Sequence, residues 1–317
     1  MTTFRNLGIA LTVIACTATG AHAQEKWSIA TSSSGSGPYI VGSAIAKTIN
    51  AAQDKVVVSA QTSGGYNNNL VLVAEGKANV GLTFLSDLVD AHAGAGSFAE
   101  LPAGMFDDLN RLFAATLTTV HCVVPATSPI QNFTDLKGYK VNINVPATST
   151  SRANKAIIDA FGMSIDDFTP FEIATSKSYD ALADGIVDAT CNFQPVPSSS
   201  IQQLAATIPV RVLPMSQEIM DKVNASYSGT MVPITIPAGT YTGQDSEVQT
   251  FAAPEVLFAH ADADPELVRA FAEGYWTGAQ PTTAGFGALT LQDAALDLTV
   301  PIHPGMAAFL KEQGLLN

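Results

Sequence analysis

Four times along this chain an apolar, strand-like run breaks into a loop of hydroxyl, amide and glycine residues, and a helical pattern starts at once. The first case is Trp27 to Tyr39, WSIATSSSGSGPY. Trp27 to Thr31 predicts a buried strand. Pro38 opens a helix with Val41, Ala44, Ile45 and Ile49 on one face. Proline suits a first helical turn, where its missing N–H would be unpaired anyway. The second loop, QTSGGYNNN at 61–69, lies between the β-branched run Val56 to Ala60 and a helix from Leu70 that Gly76 ends. The third, PATSTS at 146–151, follows a strand from Lys140 to Val145. It precedes a helix with Ala153, Ala156, Ile157, Ala160 and Phe161 at helical spacing, capped by Gly162. The fourth, NFQPVPSSS at 192–200, follows Val187 to Phe193 and precedes a helix with Ile201, Leu204 and Ala205. A helix N-terminus carries unpaired N–H groups and about half a positive charge, so such loops suit anions and polar ligands. The first loop has neither the Gly-Lys-Ser/Thr of a Walker loop nor the GxGxxG spacing of a dinucleotide site.

Alternating strands and helices predict parallel sheets with right-handed crossovers. Val80 to Phe84 continues the pattern as a strand, with a helix carrying Leu85, Leu88 and Val89 behind it. FTDLKGY at 133–139 reads as a short helical turn, and Phe168 to Ile173 as a further strand before a helix with Tyr179 and Leu182. Every polar loop then lies at the carboxyl end of a strand, the edge where open α/β sheets bind ligands. Two longer strand-like runs interrupt the pattern, Leu112 to Pro125 and Val248 to His260. They are the candidate crossings between two α/β lobes. We expect lobe one over 24–121 and 254–317, lobe two over 122–253, and the four loops around one cleft that closes by a hinge. Pro265 to Trp276 is the clearest amphipathic helix, capped by Asp264.

Residues 1–23 read as a secretion signal: Arg5, an apolar core from Leu7 to Cys16, and Ala21-His22-Ala23 as the cleavage site. A lipoprotein box ending in Cys16 is the alternative. The expectation is a soluble, exported, monomeric chain. Its net charge of −13 argues against nucleic acid and anionic membrane as partners. Cys122 and Cys191 each sit in a β-like run. Export permits a disulfide between them, but two buried free thiols are the expectation. With no CxxC and no clustered His/Cys set, neither a metal nor a cofactor is expected.

The loop chemistry nominates a ligand site. Backbone N–H groups and hydroxyls of Ser33, Ser34 and Gly35, and of Ser63, Gly64 and the stretch to Asn67, would hold a polar solute from lobe one. Tyr39, Tyr66 and Phe84 would form an apolar or stacking wall. Lobe two would add Ser149, Thr150, Asn192 and Gln194, the last two as two-way hydrogen-bonders. Asn67 could instead cap its helix. Arg152 is the one mature arginine in a cleft loop; it could grip a carboxylate in two parallel hydrogen bonds, or simply be a solvated first-turn residue. A serine hydrolase is disfavoured: Gly35-Ser36-Gly37 lacks the GxSxG frame, and His92, His121, His260 and His303 have no Asp partner legible in the chain.

IATSSSGSGPYIVGSAIA, QTSGGYNNNLVLVAEGKANVGL, TDLKGYKVNINVPATSTS, ADGIVDATCNFQPVP and IPAGTY at 236–241 occur in this order over nearly the whole mature chain. Together they resemble the TAXI class (TRAP-associated extracytoplasmic immunogenic proteins) of solute receptors. The resemblance implies a type II periplasmic-binding-protein fold, two lobes and a two-crossing hinge with the cleft between. It implies no catalysis, and capture of a small organic solute, often a carboxylate or amino acid, for a TRAP-type membrane permease. A periplasmic receptor feeding a signalling partner would use the same cleft. Departures fall in the loops. Ser34, Ser36, Gly37 and Pro38 replace a more glycine-rich first loop, and Ser151 stands where an acidic residue is usual. Asn192 and Gln194 flank Phe193 where aromatics are common.

Overall fold

The computed structural model describes residues 24–316 except 35, 147, 228, 280, 282–288 and 295–299. The expected signal segment, the Cys16 alternative and Gly35 lie outside the described residues. In chain order the elements are β1 Glu25–Ala30, α1 Gly37–Ala52, β2 Val56–Gln61, α2 Tyr66–Ala74, β3 Val80–Phe84, α3 Leu85–Ala93, β4 Leu109–Pro125, β5 Lys140–Asn142, α4 Ser149–Ala160, β6 Thr169–Phe171 and α5 Thr175–Ala183. There follow β7 Ala189–Gln194, α6 Ser199–Thr207, β8 Val210–Val212, α7 Gln217–Ala225, β9 Val232–Ile236, β10 Val248–His260, α8 Pro265–Thr277, α9 Leu291–Ala294 and α10 Pro304–Glu312.

Two parallel triads form as the alternation predicts. β1 pairs with β2 and β3, and β5 pairs with β6 and β7, all parallel. The expected crossings are real, but they are not mere connectors between separate sheets. β4 and β10 pair antiparallel with each other from Leu109–His260 to Thr119–Ala252. β10 then takes β3 on one side, β4 takes β7, and the ladder becomes one ten-stranded sheet, β2-β1-β3-β10-β4-β7-β5-β6 with β8 paired to β4 and β9 to β10. Long apolar strands with unpaired edges attract neighbours, which is why the crossings were absorbed into the sheet. Register shifts between Glu255 and Val256 and between Leu257 and Phe258 mark bulges. Bulges bend and twist a strand, so the sheet turns at these positions.

Helices cover each half, and each half has its own core. One is built from Trp27, Ile29, Ile45, Phe113, Phe271, Tyr275 and Phe309, so α8 and α10 return to the β1–β3 half. The other gathers Phe133, Val141, Ile157, Phe168, Met220 and Tyr227 around β5–β7.

The direction of the strands decides which edges of the two triads meet. β3 ends at Phe84, which lies opposite Glu255, and Glu255 lies opposite Thr116 of β4. β7 ends at Gln194, opposite Thr119 of β4. The carboxyl ends of the two triads therefore face one another across the stretch from Thr116 to Thr119. This is the seam between the lobes.

Cys122 and Cys191 correct the free-thiol expectation. They are register partners in the β4–β7 ladder, with Cα atoms 4.0 Å apart, and they are joined as a disulfide. Strand pairing over a separation of 69 residues brings them together, and spacing in the chain carries no trace of it.

Candidate functional site

The first loop leaves Ser33 and Ser34 exposed. Ser36 is the residue that caps α1, accepting the Tyr39 N–H at 3.4 Å. Tyr39 lies half-buried in α1. The second loop is tied down by its own polar groups. Ser63 Oγ donates to Asn69 Oδ1 at 2.5 Å and accepts from the Gly65 N–H, and the Gly64 N–H donates to Asn68 Oδ1. Asn69, fully buried, donates to the carbonyls of Thr31 and Leu82 and so ties the ends of β1 and β3 together. Asn67 does not cap α2. Gly65 holds that position at φ 108°, a left-handed backbone suited to glycine, and the helix starts at Tyr66.

Across the seam, Asn192 points into its own lobe. Its amide donates to Ser178 Oγ and Thr190 Oγ1, and its oxygen accepts from Asn144 Nδ2 and Thr175 Oγ1, all within 3.1 Å. All four hydrogen-bonding positions of the amide are thus taken. Gln194 Oε1 accepts from Ser198 Oγ, the cap of α6. Thr150 is half-buried in the first turn of α4.

Ser149, Arg152, Tyr66 and Phe84 meet at the seam. The Phe84 ring packs 4.5 Å from Tyr66 and 5.0 Å from Phe193 of β7, so an aromatic bridge joins the halves. Arg152 is no solvated surface residue. Its Nη1 donates to Asp87 Oδ1 at 3.1 Å, its Nη2 pairs with Asp90, and its guanidinium lies 4.6 Å from the centre of the Tyr227 ring. Ser149 Oγ donates to Asp87 Oδ2 at 2.7 Å. Lower in the seam Glu255 accepts short hydrogen bonds from Tyr66 Oη and Thr116 Oγ1.

Burial dominates the electrostatics. Desolvation pushes the Asp87 carboxyl up to about 6, against the opposing pull of Ser149 and Arg152. Burial also raises Glu255, although Thr116, Tyr66 and Thr118 stabilise its charged form. The Tyr66 hydroxyl is held well above its ordinary range by burial first and the neighbouring Glu255 next.

Asp87, Asp90, Tyr227 and Glu255 belong to the candidate site, and reading the chain passed them over. Two signals could have found them. Asp87 and Asp90 are carboxylates at i and i+3 on a short helix whose other residues are mostly apolar, and Glu255 is the lone acidic group in a 13-residue, mostly apolar strand; Tyr227 carries no such mark. A groove of about 510 Å³, lined in part by Trp27, Val73, His260 and Leu267, lies elsewhere, between the start of α8 and the α2–β3 connection. It shares no residue with the seam.

Among solved structures, a protein described as a periplasmic transporter is similar with a TM-score of 0.51 and 13% identity, over 80% of this chain and 83% of that one. A protein of Bordetella bronchiseptica RB50 gives a TM-score of 0.50 and 16% identity, over 80% and 70% of the two chains. The periplasmic aliphatic sulphonate binding protein SsuA from Escherichia coli gives 0.48 and 16%, over 80% and 69%. At such identities the likeness is one of fold, the two-lobe α/β fold of periplasmic binding proteins. A sequence model of the NMT1-like family matches residues 29–314, from the end of β1 through α10, with both crossing strands and the whole seam inside it. The chain belongs to the NMT1-like family.

Proposed function

We propose that this protein is an extracytoplasmic solute receptor of the TAXI type. It captures a small organic solute bearing a carboxylate, amino acids included, and hands it to a TRAP-type membrane permease. The observation that carries the reading is the seam itself. Two parallel triads present their carboxyl ends to each other, and Ser149 and Arg152 of one half reach buried carboxylates of the other. Open α/β sheets bind ligands at that edge. Lobe one is assigned to 24–121 with 254–317 and lobe two to 122–253, so that the lobes turn about β4 and β10. No helix among the described residues is long and apolar enough to cross a membrane. Ser33, Ser63 and Thr150 are offered as solute contacts of the loop rims, and Tyr66 and Phe84 as the apolar wall.

Screening the mature chain by thermal shift against carboxylates, amino acids, neutral sugars and amines tests this. A ligand that binds the folded state raises the melting temperature by mass action. The expected hits are carboxylates or amino acids. A shift with neutral sugars or simple amines alone would overturn the ligand class.

A further inference from the structure

Lobe two presents the parts of a carboxylate receptor side by side. Ser149 supplies a hydroxyl, Arg152 a guanidinium, and both sit in the first turn of α4, whose cap is the Thr148 hydroxyl. Tyr227 lies under the guanidinium. It is 1% exposed, yet its hydroxyl has no hydrogen-bond partner among the described residues. A helix start with an arginine and a serine at hand matches a planar anion by charge and by geometry.

That receptor is occupied by the protein's own side chain. Asp87 comes from α3 of the other lobe, and its two oxygens divide between Ser149 and Arg152 as a ligand's carboxylate would. Asp90 takes the second arm of the guanidinium. The pairing is costly: the Asp87 side chain is 2% exposed, and burial lifts its carboxyl to about 6. A carboxylate held against its own desolvation can be displaced, because it recovers solvation or a proton on leaving.

We propose that Asp87 is a built-in stand-in for the solute's carboxylate, and that a bound solute takes Ser149 and Arg152 from it. The Tyr227 hydroxyl gains its missing partner from the same solute. This rests on the carboxylate reading above, and it makes Asp87 a competitor that sets the affinity of the site instead of a ligand contact. A solute without a carboxylate has nothing to exchange for Asp87 and is excluded.

The sign of one mutation decides the matter. Calorimetric titration of the full mature chain would use L-glutamate, 2-oxoglutarate, succinate and pyruvate as probes. For any probe that binds the wild type, Asp87→Asn should bind it about tenfold tighter, since the charged competitor is gone. Ser149→Ala and Arg152→Lys should bind it about fivefold to tenfold weaker. Asp90→Asn, which loosens the same guanidinium while leaving Asp87 in place, should also tighten binding and serves if Asp87→Asn does not fold. Equal or weaker binding by Asp87→Asn, with the wild type binding normally, overturns the stand-in and leaves solute capture standing. Failure of all four probes on every variant, with a sugar or amine binding instead, overturns both.

Discussion

At the scale of single residues, the seam is a place where charge is held against its preference. Asp87 ionises at about 6 in the folded protein, above its ordinary value. Between those two values the native state binds more protons than the unfolded chain. Stability therefore falls as pH rises through that window, by about 3 kcal/mol from this one group. Urea unfolding of wild type and Asp87→Asn at pH 4 and pH 7 checks it. The wild type should lose stability relative to the variant between the two pH values, and parallel behaviour would show that Asp87 is not strained. Asn192 makes the opposite prediction. Its four hydrogen bonds lie wholly inside one lobe, so Asn192→Ala should destabilise the fold by about 2–4 kcal/mol, because several buried groups lose their partner at once. A denaturation midpoint close to that of wild type would show that the network closes without it. This is where residue chemistry read from the chain ran thin. A polar residue in a loop after a strand looks the same whether it faces a ligand or its own lobe; only the neighbours Asn144, Thr175 and Ser178 decide, and they come from distant segments.

Elements were more legible. Strand–loop–helix order, the placement of polar loops at carboxyl edges, the short turn at Phe133–Leu136 and the amphipathic α8 all follow from apolar spacing and cap chemistry. α2 starts four residues before Leu70 because a glycine, not an asparagine, ends the loop. The short edge pieces β8 and β9, with α7 and α10, had no strong pattern of their own; packing against β4, β10, α4 and α8 respectively defines them. Within β3, Gly81 sits face to face with the Phe258 ring of β10, and a Cβ there would lie 2.2 Å from it. Gly81→Ala should cost about 1–3 kcal/mol as the sheet shifts to make room. Thermal unfolding of the variant measures this, and an unchanged melting temperature would mean that the ring moves freely aside.

For the molecule as a whole, two lobes and two crossings were readable from the two long apolar runs. The continuous sheet and the disulfide were not, since both depend on which strand lies beside which. The Cys122–Cys191 bond closes a long loop within one half. Cys122→Ser with Cys191→Ser should lower stability by about 2–4 kcal/mol, and the unreduced wild type, unfolded, should show no reactive thiol from this pair. Thiol titration in denaturant with and without reductant reads the second point. Sharing β4 and β10 between both halves has a further consequence, for autonomy. Neither half owns a complete set of strands. An excised segment 126–247 would keep β5–β7 but lose the strand against which β7 pairs, leaving a raw hydrophobic edge with no partner. Such a fragment should remain largely unstructured. The intact chain should melt in one cooperative step, as a single foldon whose two halves cannot be inherited, expressed or lost separately.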